Sequence, residues 1–111
     1  MSTDTKSFDK QIPLLLRLLE NSLRSGYNVV QSLELAAKEL ASPALEDVQQ
    51  VIADFKSGMT PPDVFSNWLK RTPSVDLKLV IATILVQLEV GGNLADKLNL
   101  LGQVLDKRNT L

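Results

Sequence analysis

Residues Val75 to Val90 read VDLKLVIATILVQLEV, and Gly91-Gly92-Asn93-Leu94-Ala95-Asp96-Lys97-Leu98 follows directly. At helical spacing, Leu77, Val80, Ile81, Ile84, Leu85 and Leu88 occupy one face, while Leu79, Val86 and Val90 cover much of the remainder. Only Asp76, Thr83 and Gln87 align as a polar strip. A helix apolar nearly all round is buried on several sides, inside a bundle or against a partner. Bracketed by Asp76, Lys78, Gln87 and Glu89, it falls well short of the ~20 apolar residues a bilayer span needs. The stretch is therefore expected to be a core helix. Gly91 ends it in the manner of a C-terminal glycine cap and Asn93 caps the next helix. Asp96 stands at the capping-box position, where Glu or Gln is usual.

The same punctuation recurs upstream. Asp9 is expected to cap a first helix that tolerates Pro13 near its start and carries Ile12, Leu15, Leu16, Leu19 and Leu23 to about Ser25. Gly26 stops it, and Asn28 with Gln31 forms a capping box for a second helix turning Leu33, Ala36 and Leu40 inward. Glu34 and Lys38 form an i,i+4 pair on its wet side. Ser42-Pro43 reads as a cap followed by Pro at the first helical position, opening a third helix that Gly58 stops. Thr60-Pro61-Pro62-Asp63 opens a short amphipathic fourth helix with Val64, Phe65, Trp68 and Leu69, and Ser74 caps the central helix. The sixth helix buries Leu94, Leu98, Leu101, Val104 and Leu105. No segment alternates as a strand does. The fold class is all-α: a six-helix antiparallel bundle built from αα-hairpins joined by short linkers. Its organisation is a disordered N-terminal segment, 1–9, and one helical domain, 10–108.

Composition narrows the chemistry. The 111 residues contain no cysteine and no histidine, which removes thiol nucleophiles, zinc fingers, histidine bases and disulfide frameworks. Ser and Thr hydroxyls have only Lys to activate them, so the chain is expected not to be an enzyme. Glu46, Asp47, Asp54, Asp63 and Asp76 lack metal-loop spacing, so no metal or cofactor is expected. The formal net charge is −1 with signs interspersed, which argues against nucleic acid. A helix-turn-helix reading fails because the second helix carries a single Lys. The opening MSTDTKSFDKQI has no apolar signal-peptide core, so the chain as given is expected to be soluble.

Gly26-Tyr27-Asn28-Val29-Val30-Gln31-Ser32-Leu33 matches Gly91-Gly92-Asn93-Leu94-Ala95-Asp96-Lys97-Leu98 position by position at an offset of 65, with Gly58 to Phe65 a looser third copy. Leu23 then aligns with Leu88, Leu35 with Leu100 and Leu40 with Leu105. The match is either a duplicated hairpin or one good Gly-x-Asn connection used twice. A tetratricopeptide reading is rejected because its Trp, Gly, Tyr, Ala and Pro signature is missing.

Leu15 to Leu40, LLRLLENSLRSGYNVVQSLELAAKEL, resembles the opening hairpin of the type II secretion system F domain, and more closely its tight-adherence (Tad) pilus version. The blocks Phe55 to Phe65, Ser74 to Lys78 and Glu89 to Ala95 are similar to later parts of the same domain, with Val64 where Ala is usual. The resemblance covers about residues 10 to 108. It implies a six-helix domain on the cytoplasmic side of an inner-membrane platform protein. Such a domain docks the secretion or pilus assembly ATPase and other inner-membrane assembly components, and passes motion to pilin subunits. Membrane attachment would run through segments absent from this chain, and self-association into a homo-oligomer stays open. From another functional class, a free-standing helical adaptor or scaffold is the alternative.

The candidate functional residues are of two kinds. Gly26, Asn28, Gly58, Thr60, Gly91 and Asn93 are read as helix-turn caps, the glycines because left-handed backbone is required. Arg17, Arg24, Glu34 and Glu39 are candidate partner contacts on exposed polar sides of the first three helices, the fifth being assigned to the core. Glu89 lies in the last turn of its helix, where the carbonyl dipoles disfavour an acid by ~0.3–1 kcal/mol. It pairs with a cation such as Arg24, faces a partner, or is simply solvated. Trp68 is read as core.

Overall fold

Phe8 is fully buried, and that one residue changes where the first helix begins. A computed structural model of the chain describes residues 4–110, and in it α1 runs Thr5–Arg24 with Asp4, not Asp9, as its N-cap. The Asp4 carboxylate accepts from the Lys6 and Ser7 N–H groups at 3.1 and 3.4 Å. Pro13 therefore lies in the helix interior, where it costs ~3 kcal/mol. Burial of a Phe such as Phe8 supplies about 1.5–3 kcal/mol, enough to offset most of that cost. Of the expected disordered segment 1–9, residues 1–3 lie outside the described residues, and 4–9 form the cap and opening turns of α1.

Five further helices follow: α2 Val29–Ala37, α3 Ala44–Lys56, α4 Pro61–Arg71, α5 Val75–Val90 and α6 Leu94–Thr110. The described residues contain no strand. The all-α, six-helix class expected from the sequence is what the structure has. Consecutive helices pack on one another, and α1 closes the arrangement by packing on both α5 and α6. Direction is legible in the side-chain bonds. Arg24 and Glu20 of α1 meet Asp96 and Asn99 of α6, and Arg108 at the end of α6 meets Asp76 at the start of α5. Thus α6 runs antiparallel to both α1 and α5.

Helix α3 departs from the expected Ser42 cap. Its N-cap position is Pro43, after a cis Ser42–Pro43 peptide, and no side chain from its own end caps it. Ser42 donates instead to the Glu46 carboxylate. The orphan N–H of Ala44 is satisfied by Gln11 Oε1 of α1 at 2.9 Å, while Gln11 Nε2 donates to the Ala41 carbonyl at 2.7 Å. Helix α2 stops at Ala37, short of Leu40, so its link to α3 is longer than the short linkers expected.

The core is aliphatic with an aromatic chain through one side. Phe8 of α1 meets Trp68 edge-on at 6.2 Å, Trp68 stacks on Phe65 at 6.3 Å, and Phe65 meets Phe55 of α3 edge-on at 5.6 Å. Such contacts add to area burial because ring edges and faces carry opposite partial charge. Trp68 is wholly buried, as expected.

The offset of 65 reappears in three dimensions. Ile12, Leu15, Leu16 and Leu19 are buried in α1, and their counterparts Leu77, Val80, Ile81 and Ile84 are the buried residues of α5. Leu33 and Leu40 correspond to Leu98 and Leu105, all four buried.

Helix α5 is nevertheless not the enclosed core helix expected. Only its inward stripe is covered. Val75, Leu79, Val86 and Val90 are 73%, 41%, 53% and 71% exposed, and Leu88 and Val104, both expected inside, are 48% and 55% exposed. Periodicity counted apolar faces but could not say how many neighbours exist to cover them.

Candidate partner interface

The turns are built from local chemistry. At Gly26 (φ 97°) the Gly26 N–H reaches the Leu23 carbonyl and the Tyr27 N–H the Ser22 carbonyl. At Gly58 (φ 94°) the same pair of bonds joins Gly58 to Phe55 and Met59 to Asp54. Both are Schellman motifs, which need left-handed backbone at the glycine. Gly91 differs: it is itself the C-cap, with φ 79° and ψ −172°, a region essentially reserved for glycine. The sequence formula pairs the Gly26 turn with the Gly91 turn, whereas the backbone pairs it with the Gly58 turn. Asn28 and Gln31 close a reciprocal capping box, and Thr60 accepts from the Asp63 N–H at 3.4 Å. Asn93 accepts from the Asp96 N–H at 3.0 Å. The Asp96 carboxylate reaches across to Arg24 at 2.9 Å.

The five charges singled out as partner contacts do not form one cluster. Arg24, at the end of α1, is held by Glu20 and Asp96, both at 2.9 Å. Its guanidinium is pushed up from its ordinary value, first by the bond to Asp96 and then by Glu20. Arg24 is therefore spoken for, and the suggested Glu89–Arg24 pair does not form. Glu89 is exposed at the end of α5 and makes no ion pair among the described residues. Glu34 pairs with Lys56 of α3 at 3.4 Å rather than with Lys38. Arg17 lies along a groove between α1 and α6, with Glu20, Asn99 and Asp106 beside it. Glu39 is exposed just beyond α2.

An open cleft of about 670 Å³ lies between the end of α1 and the start of α6, lined by Leu23, Arg24, Gly92, Asn93, Leu94 and Ala95. Within it Arg24 is held by two carboxylates, and the Asn93 side-chain oxygen accepts from the Asp96 N–H. Among the described residues no group of His, Cys, Asp and Glu is arranged to hold a metal ion.

The feature that sequence reasoning missed is the outer face of α5. A signal was present in the repeat: the α1 counterparts of Val75, Leu79, Ala82, Val86 and Val90 are Lys10, Leu14, Arg17, Asn21 and Ser25. One copy of the hairpin has a water-facing back and the other an aliphatic one.

Fold and surface together define an all-helical hairpin domain with shallow clefts between its helices and an exposed aliphatic face on α5. The chain belongs to the type II secretion system protein F family, whose model matches residues 15–111, and hence to the secretion and pilus-assembly platform proteins. Proteins of this family are inner-membrane components, and among the described residues no helix is long and apolar enough to cross a membrane. No curated protein and no solved structure matches the chain significantly.

Proposed function

We propose that this domain stands on the cytoplasmic side of an inner-membrane platform protein of the tight-adherence pilus type. There it docks the assembly ATPase and passes the motor's motion to pilin assembly, without catalysis of its own. The family match over residues 15–111 carries the reading. Mechanical relay requires a body that moves as a unit, and long-range side-chain bonds suit this bundle to that task. Ser74 to Asp9, Ala44 to Gln11, Trp68 to Asp47 and Arg24 to Asp96 tie helices distant in sequence.

Docking by charge needs side chains not already committed within the fold. Arg24 and Glu34 hold internal bridges, whereas Arg17 and Glu39 are exposed and form no ion pair among the described residues. The test is capture of the purified assembly ATPase by the purified domain. Binding by the native chain, weakened by Arg17→Glu with Glu39→Lys at unchanged helical circular dichroism, is the expected result. Rim charges chiefly tune association rate and specificity. Failure of the native domain to bind the ATPase would overturn the docking role, and nucleotide hydrolysis by the domain itself would overturn its non-catalytic part.

A further inference from the structure

We propose that one end of the bundle, where α1 and α5 begin and α4 and α6 finish, is a docking face for an anionic lipid surface. The inference rests on how charge is laid out in the fold and does not need the ATPase reading.

Three contacts bring the four helices together at that end. Trp68 in the last turn of α4 meets Phe8 of α1, Ser74 before α5 donates to Asp9 of α1, and Arg108 near the end of α6 meets Asp76 of α5. Lys6, Lys10, Lys70, Lys78, Lys107 and Arg108 are all exposed there. The first four form no ion pair among the described residues. The carboxylates of these helix ends are largely engaged: Asp4 caps α1, Asp9 accepts from Ser74, and Asp76 holds Arg108. Only Asp106 is left exposed without an ion pair among the described residues on these four ends. The opposite end is acidic, with Glu20, Glu34, Asp63, Glu89 and Asp96 against Arg24, Lys56 and Lys97. A formal net charge of −1 thus conceals a bundle that is polar along its length.

Helix dipoles alone do not produce this layout. They favour cations in a last turn, which accounts for Lys70, Lys107 and Arg108. They disfavour cations in a first turn, yet Lys6 lies in the first turn of α1 and Lys78 in that of α5. They disfavour acids in a last turn, yet Glu89 lies in the last turn of α5. Each of these three residues opposes its own helix and agrees with its end of the bundle.

Chemistry selects the occupant. Val75, 73% exposed, and the exposed Pro73 fall in sequence between Lys70 and Lys78. An apolar tip among lysines suits the headgroup region of an anionic bilayer, which takes ammonium groups at its phosphates and apolar stems beneath them. A nucleic acid would meet the lysines through its phosphates but give Val75 no apolar contact. Proteins of this family are inner-membrane components, and cytoplasmic leaflets carry a negative surface potential. Bound in this way the bundle stands on end, with Asp63 and Glu89 turned away from the lipid.

In a flotation assay at low salt, vesicles of equal parts phosphatidylglycerol and phosphatidylcholine should carry the chain, and vesicles of phosphatidylcholine alone should not. Binding should vanish near about 1 M salt, where the screening length falls to about 3 Å. Lys6→Ala and Lys70→Ala should each weaken it about fivefold, and together about twenty-five-fold. Lys97→Ala makes the same change in net charge at the acidic end and should leave binding unchanged. Circular dichroism checks that each variant is folded. Val75→Trp should emit further to the blue on vesicles, whereas Val86→Trp, on the outer side of α5, should not shift. Absence of flotation with phosphatidylglycerol overturns the proposal. So does a loss from Lys97→Ala equal to that from Lys70→Ala, or a blue shift from Val86→Trp in place of Val75→Trp. Single-stranded DNA bound as tightly as the vesicles would assign the lysines to polyanions in general and equally overturn it.

Discussion

Ser74 donates a hydrogen bond to the Asp9 carboxylate, and the two residues are separated by 65 positions, the offset that relates the two hairpins. They are equivalent positions of the repeat, on the starting turns of α5 and α1, touching one another. The same Ser74 oxygen accepts from the Leu77 N–H at 3.0 Å and so caps α5. One hydroxyl fixes both where α5 begins and where it sits against α1. Ser74→Ala should cost about 1–2 kcal/mol, at the upper end for a cap because a tertiary bond is lost as well. Asp9→Asn, which retains an acceptor, should cost less. Urea unfolding of the two variants checks the order.

Asp47 is a buried carboxylate whose Oδ2 accepts from Trp68 Nε1 at 3.1 Å and from the Thr72 hydroxyl, both residues fully enclosed. Asp47→Ala strands two buried donors and should cost about 3 kcal/mol or more. The chain has one Trp, so fluorescence unfolding follows this site directly. A midpoint unchanged from the native chain would mean that water or a rearranged α3–α4 contact satisfies both donors.

Gly26 and Gly102 predict opposite signs. Gly26 has φ 97°, so Gly26→Val should destabilise by about 1–2 kcal/mol. Gly102 lies within α6, and a Cβ there would meet Leu16 Cδ1 at 3.7 Å, an ordinary contact. Gly102→Ala should therefore stabilise by about 0.5–1 kcal/mol. Thermal melts of the pair test the assignment, and equal shifts would refute it.

Ser32 is fully buried in α2 and its hydroxyl has no hydrogen-bond partner among the described residues. Ser32→Ala removes an unsatisfied polar group from the interior and improves helix propensity, so a gain of about 0.5–1 kcal/mol is expected. Loss of stability on this change would show that the hydroxyl is bonded in solution.

Asp4 is held below the usual carboxylate range, first by the Ser7 hydroxyl and then by the Ser7 N–H. A depressed folded-state value stabilises above the unfolded value and is lost as pH falls through the folded one. The cap of α1 should therefore loosen only at acid pH, below the ordinary Asp range. Titration of the Asp4 carboxyl carbon by NMR should show the depressed value, and Ser7→Ala should raise it.

Much of this architecture is encoded locally. Gly26, Gly58 and Gly91, with Asn28, Thr60, Ser74 and Asn93 after or between them, mark helix ends because each meets a need of a few neighbouring backbone groups. The repeat, too, was readable as an offset of 65 before its buried positions could be seen to coincide.

Other features required atoms distant in sequence. The start of α1 was settled by Phe8 reaching Trp68, which outweighs the interior Pro13, and the start of α3 by Gln11 of another helix. Asp47, by its local pattern a solvated acid, is buried because Trp68 and Thr72 supply donors. The outer face of α5 is the plainest case. Its residues alone declare two apolar sides, but exposure depends on how many helices the chain has left to lay against them. Local sequence determines which groups must be satisfied along one helix. Only the tertiary structure decides which faces find a cover, because burial is a property of neighbours and not of the residue itself.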